Sequence, residues 1–303
     1  RLNTTGQQNV AIGTRALYSN TTSQNNVGIG TEALYANSTG QFNVAVGRET
    51  LKNNLVSYNV AVGYQTLFSN TTGQYNVAIG YKVSLSNTTG QFNVGIGYQS
   101  LYSNTTGQRN IAMGYESLYT NTGGQYNVAV GHTAMRSNTT GLRNTAVGYQ
   151  PMFNNTTGSY NVALGTFTLG ANTIGNYNTA VGYDALKSST TASYNVAIGY
   201  KALEDNTTGQ YNVAIGFEYL NTTGNENVAV GTRALRNNTI GENNVGMGYQ
   251  TLYYNTTGNN NVGIGTEALL SNTTGQNNVA VGTTALKTNT IGAKNIAIGD
   301  SSL

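Results

Sequence analysis

The chain has 303 residues, of which only 8% are charged, and a formal net charge of +3, which excludes a basic nucleic-acid groove and an acidic tail. With no Cys, it has no disulfide framework, no thiolate metal site and no Cys nucleophile. Its Gly, Asn and Thr content would suit disorder, but Val, Ile and Leu recur at a fixed period and argue for a packed fold.

The position held by Val10 recurs at Val27, Val44, Val60, Val77 and Val94 and on to Ile296, in eighteen copies. Fifteen of the seventeen intervals are 17 residues; Val44 to Val60 is 16 and Val213 to Val228 is 15, with both deletions assigned to the polar half of the unit. A period this short predicts one elongated domain over residues 1–303. The first element of each unit is a short strand. In Asn76-Val77-Ala78-Ile79-Gly80, Val77 and Ile79 share one face and a small residue lies between them on the other. The second is a half-turn such as Gln99-Ser100-Leu101-Tyr102, read as another short strand whose Leu closes the core. An Asn-Thr-Thr-Gly turn follows, leaving fewer than about 8 residues for any helix. One unit cannot bury its own apolar face, so coils must stack at the strand spacing of ~4.8 Å. The predicted fold is all-β, a parallel β-solenoid or β-roll of about eighteen 17-residue coils.

Two positions never vary. Asn precedes the reference residue in every copy, as at Asn9, Asn26, Asn43, Asn59, Asn76, Asn93, Asn110 and Asn127, and is expected to stack as an amide ladder. Gly ends the strand in every copy, as at Gly13, Gly30, Gly47, Gly63 and Gly80, and fits a bend needing positive φ or close backbone approach. Between Val and Ile the residue is always Ala or Gly, which implies a tight wall, either the coil interior or another chain.

The run Asn-Val-Ala-Ile-Gly at Asn76–Gly80 and Asn195–Gly199 resembles the core of the head repeats in YadA-like trimeric autotransporter adhesins. It is also similar to repeats of phage tail-fibre-like proteins. The resemblance implies a left-handed parallel β-roll, often trimeric, exposed at a cell or virion surface and used for attachment.

Ile296 lies seven residues before the C-terminus and Val10 at position ten, so joining two copies end to end restores one 17-residue repeat. Arg1, Leu2, Ser302 and Leu303 would then form an end-to-end contact, and subunits would stack head to tail into a filament. A stretch cut from a longer array fits the same phase.

Catalytic chemistry is not expected. His132 is the single histidine and stands where Tyr is usual, and Glu32, Glu49, Glu116, Asp184, Glu204 and Asp205 fall in different positions as solvated surface charges. The turn carries no carboxylate for calcium, and no metal or other cofactor is expected. Tyrosines recur after the Gly, as at Tyr64, Tyr81, Tyr98 and Tyr115, and would form a surface ladder that either stabilises the rod by cross-strand stacking or offers flat faces to sugar rings. Asn-x-Ser/Thr sequons at Asn3, Asn20, Asn37, Asn70, Asn87, Asn104, Asn138, Asn155, Asn206, Asn221, Asn255 and Asn272 would carry a column of glycans, unless Asn and Thr simply form good turns.

The reading is therefore a non-enzymatic extracellular structural fibre or adhesin segment, self-associating as a head-to-tail filament or trimer. Its outside partners would be surface glycans or a host cell surface, with no nucleic acid and no membrane span. The runner-up is the receptor-binding shaft of a phage-type tail fibre. Ice binding ranks third, because the paired Thr sits in a turn.

Overall fold

A computed structural model describes residues 3–303. The chain falls into two compact units, Arg1–Thr157 and Gly158–Leu303. The first holds β1 (Val10–Ile12), β2 (Val27–Ile29), β3 (Val44–Val46), β4 (Val60–Tyr64), β5 (Val77–Tyr81), β6 (Val94–Tyr98), β7 (Ile111–Met113), β8 (Val128–Val130) and β9 (Thr145–Val147). The second holds β10 (Val162–Leu164), β11 (Thr179–Val181), β12 (Val196–Ile198), β13 (Val213–Phe217), β14 (Val228–Thr232), β15 (Val245–Met247), β16 (Val262–Ile264), β17 (Val279–Val281) and β18 (Ile296–Ile298). Within each unit every strand pairs in parallel with the next, like residue on like residue, as in Val77 on Val94 and Ile79 on Ile96. No helix occurs among the described residues. The chain is an all-β parallel solenoid whose coil is the sequence repeat.

The strand faces are arranged opposite to those of most sheets with one buried side. The small residue points inward and the large ones outward: Ala78 is fully buried, whereas Val77 is half-buried and Ile79 is exposed. The tight wall is therefore the coil interior. Across it stand the Leu column, including Leu51, Leu67, Leu101 and Leu118, and a column of small residues just before it, such as Thr50, Ser100 and Ala134, all buried. Volume is conserved where the pattern breaks. Ser84 takes the Leu position of its coil, the preceding Val83 fills the core instead, and the next coil has Gly95, where a Cβ would lie 2.5 Å from Val83 Cγ1.

The second predicted strand is not one. Residues 99–103 bend and turn, because Gln99 and Leu101 are left-handed, both with φ of 52°, which is incompatible with extended pairing. Phe92, with φ of 58°, is the third left-handed residue of the same coil. Each such non-Gly residue costs about 1–2 kcal/mol. Hydrogen bonds between coils run through the turn nonetheless, as in Leu101 N–H to Ser117 O at 3.0 Å and Ser103 N–H to Tyr119 O at 3.0 Å, and they offset that strain.

Both short intervals keep the strand register, with Val44 opposite Val60 and Val213 opposite Val228. One deletion was misplaced from sequence. In the 15-residue coil the missing residues come from the Leu-bearing half, since Asn221 still donates to Asn206 Oδ1 at 3.1 Å and to Gly224 O at 2.7 Å. The core there is filled by Tyr219, which is fully buried.

The invariant Gly meets both of its expected constraints. Gly13, Gly30, Gly47, Gly63 and Gly80 have φ between 122° and 137°, and a Cβ at Gly97 (φ 124°) would lie 2.5 Å from Gly114 O on the next coil. By contrast, a Cβ at Gly123 would meet nothing nearer than Thr106 Oγ1 at 3.5 Å. Gly97→Ala is expected to destabilise the chain by about 2–3 kcal/mol, and Gly123→Ala by less than about 0.5 kcal/mol, in guanidinium denaturation.

Candidate functional surface

Two amide ladders hold the coils in phase. In the ladder formed by Asn9, Asn26, Asn43, Asn59, Asn76, Asn93, Asn110 and Asn127, Oδ1 of each side chain accepts the backbone N–H of the same Asn one coil on. Asn93 N–H, for example, reaches Asn76 Oδ1 at 3.0 Å. Its own Nδ2 donates to Asn76 Oδ1 at 3.2 Å and to the turn carbonyl of Gly107 at 2.9 Å. The second ladder runs through the Asn of the Asn-Thr-Thr-Gly turn. Asn104 Nδ2 donates to Asn87 Oδ1 at 2.8 Å and to the same Gly107 carbonyl at 3.1 Å. The second unit repeats the arrangement, with Gly258 O accepting from Asn244 at 2.8 Å and from Asn255 at 3.0 Å.

The second ladder overturns the glycan column. Asn20, Asn37, Asn70, Asn87, Asn104, Asn138, Asn155, Asn206, Asn221, Asn255 and Asn272 are all buried. The Nδ2 atom that would bear a sugar is the ladder donor, and a glycan there would have to displace the neighbouring coil. Only Asn3 of the twelve is exposed. The signal that separates the readings was in the sequence: Asn54, Asn121 and Asn238 hold the same position without a sequon, and they too are buried in the ladder.

The aromatic ladder is present in an altered sense. Tyr64, Tyr81, Tyr98 and Tyr115 stack with ring centroids 5.1–5.4 Å apart. His132 continues the column 5.0 Å beyond Tyr115. Ring faces cover one another, so edges and hydroxyls rather than flat faces meet solvent, which removes the basis for stacking sugars on them. A second column in the first unit runs Phe42, Tyr58, Tyr75, Phe92, with Arg109 lying over the rings of both Phe92 and Tyr126 at 5.4 and 5.2 Å.

Charged groups are dispersed and mostly paired. Two of the acids read as solvated are in fact buried: Glu32, which lies against Arg15 and 2.7 Å from Lys52 Nζ, and Asp184, whose Oδ2 is 3.1 Å from Lys187 Nζ. The Lys52 hydrogen bond holds the Glu32 carboxyl below its usual range, and the charges of Lys52, Arg15 and Arg48 reinforce it against burial. Likewise, the charge of Glu116 pushes the Tyr115 phenol up, and the hydrogen bond to Glu204 raises Lys201. An open depression of about 300 Å³ near Tyr211 contains Glu226 and Glu242, the latter accepting from Asn225 Nδ2 at 2.9 Å. No group of three or more His, Cys, Asp or Glu among the described residues could hold a metal ion.

The outward strand face is apolar in each unit except at Thr145 of β9 and Thr179 of β11. Ile79 and Met113 in the first unit, and Ile198, Ile215 and Ile264 in the second, are each about two-fifths exposed. Of the residues proposed for an end-to-end contact, Arg1 and Leu2 lie outside the described residues, Ser302 O accepts Leu286 N–H at 3.0 Å, and Leu303 is exposed. Among the described residues no helix is long and apolar enough to cross a membrane. No protein-family model and no curated protein matches this chain.

Replacing Asn87 by Ala leaves Asn70 Oδ1 and the Asn104 amide short of a partner, and should cost about 2–4 kcal/mol in guanidinium denaturation. Thr89→Ala, on the exposed side of the same turn, should be neutral within about 0.5 kcal/mol. Tyr219 supplies a pH test. Burial pushes its phenol well up. The unfolded chain ionises this group near pH ~10 while the folded chain keeps its proton, so the contribution is complete below that pH and is lost as pH rises beyond it. Ultraviolet titration should find one phenol that resists ionisation until unfolding, and it should vanish in Tyr219→Phe.

Proposed function

We propose that the chain is a segment of an extracellular structural fibre or adhesin, displayed at a cell or virion surface, whose coils associate laterally with other copies. The observation that carries this reading is the outward Val/Ile face, repeated on every strand of each unit and left partly open to solvent. Covering such a face contributes about 25 cal/mol per Å² of apolar area, and the contribution grows with the number of coils. Repetition also supports the adhesive part of the reading. A surface that presents the same groups at each coil gains by avidity, whereas catalysis needs one distinguished site. A host cell surface is the partner proposed for it.

A phage-type tail-fibre shaft draws on the same face, and a three-chain assembly is the outcome that favours it. Sedimentation velocity over a hundredfold concentration range is the test. The chain should form discrete oligomers, and Ile79→Lys with Met113→Lys should shift them to monomer while circular dichroism stays unchanged. A parent chain that remains monomeric throughout would sink the proposal.

A further inference from the structure

We propose that the tyrosine column Tyr160, Tyr177, Tyr194 and Tyr211 of the second unit is a site of oxidative modification, at which phenols on successive coils couple to dityrosine. The rings follow one another at 4.9, 5.1 and 4.9 Å between centroids, with planes within 9° of parallel. They are 39–53% exposed, so an oxidant reaches their hydroxyl edges. The run is uninterrupted, whereas the corresponding column of the first unit is broken by Phe42, Phe92 and Arg109, none of which can supply a phenol. Stacking also places the ring carbons beside the hydroxyl, where the unpaired spin of a tyrosyl radical is concentrated, on the same edge of adjacent rings.

The co-reactant is a haem peroxidase with hydrogen peroxide. Each of two neighbouring phenols gives up one electron and one proton. The two radicals join through a carbon–carbon bond between ortho positions, and the displaced ring hydrogens return to the phenol oxygens as aromaticity is restored. Two tyrosines and one hydrogen peroxide yield one dityrosine and two waters. Because the partners are held side by side, coupling within one chain outpaces encounters between chains. Exposed side chains move fast enough to close the remaining gap within the life of a radical. The result would be a covalent tie from coil to coil in a chain that has no Cys with which to make one.

The test treats the folded full chain with peroxidase and hydrogen peroxide at high dilution, and in parallel the same chain unfolded in guanidinium. Dityrosine is read by its fluorescence, and the bonded residues by mass spectrometry of digests. The expected product has monomer mass less two hydrogens per bond, with links that include Tyr160–Tyr177, Tyr177–Tyr194 and Tyr194–Tyr211, at least about tenfold more abundant than in the unfolded chain. Tyr194→Phe should remove the two links that use it and leave Tyr160–Tyr177, and buried Tyr219 should stay unmodified. Equal yield from the unfolded chain, links mainly between chains, or no coupling in either state would each overturn the proposal.

Discussion

The fold depends on a shared acceptor: one turn carbonyl in the coil, a glycine's in most coils, such as Gly107 O, and Val56 O in the 16-residue coil, that takes a hydrogen bond from an Asn of each ladder. Buried amides are costly when unpaired, and here every donor is satisfied only if the next coil sits one repeat away in phase. The ladders therefore act as a ruler. Strand pairing alone is weakly specified over three residues, and the amides convert it into a fixed register.

With the register set by polar groups, the interior has little space left for apolar ones. Three left-handed corners in the 17-residue coil, and two in the 15-residue coil, close the chain around Ala or Gly on one wall and chiefly Leu on the other. Val and Ile, the residues best suited to a strand, are pushed to the outside. A narrow polar-braced core and an apolar exterior are thus two sides of one geometric constraint. The same stacking explains why tyrosines and phenylalanines fall into columns: a side chain leaving one coil meets its own copy about one strand spacing away.

Much of this was legible in the sequence. The period gave the coil, the invariant Asn–Gly frame gave one ladder and the positive-φ bend, and Ala or Gly between Val and Ile announced the tight wall. What escaped depended on three dimensions. The turn Asn was read through its sequon, because a side chain beside two threonines looks solvent-facing until the neighbouring coil is placed over it. The half-turn around Leu101 was read as a strand, because a left-handed leucine contradicts local preference and persists only under hydrogen bonding from both neighbours. The role of Tyr219 was hidden as well, since its coil had to be known to be short on the Leu side before a buried phenol made sense.

Preserved register across coils of 17, 16 and 15 residues has a genetic consequence. Near-identical tandem copies invite unequal crossing-over, and an exchange between copies in the same phase adds or removes whole coils while every Asn still finds an Asn. Small losses at a corner are absorbed in the same way. Whole coils can therefore be gained or lost while the register of the ladders is kept, as it is across the two short coils.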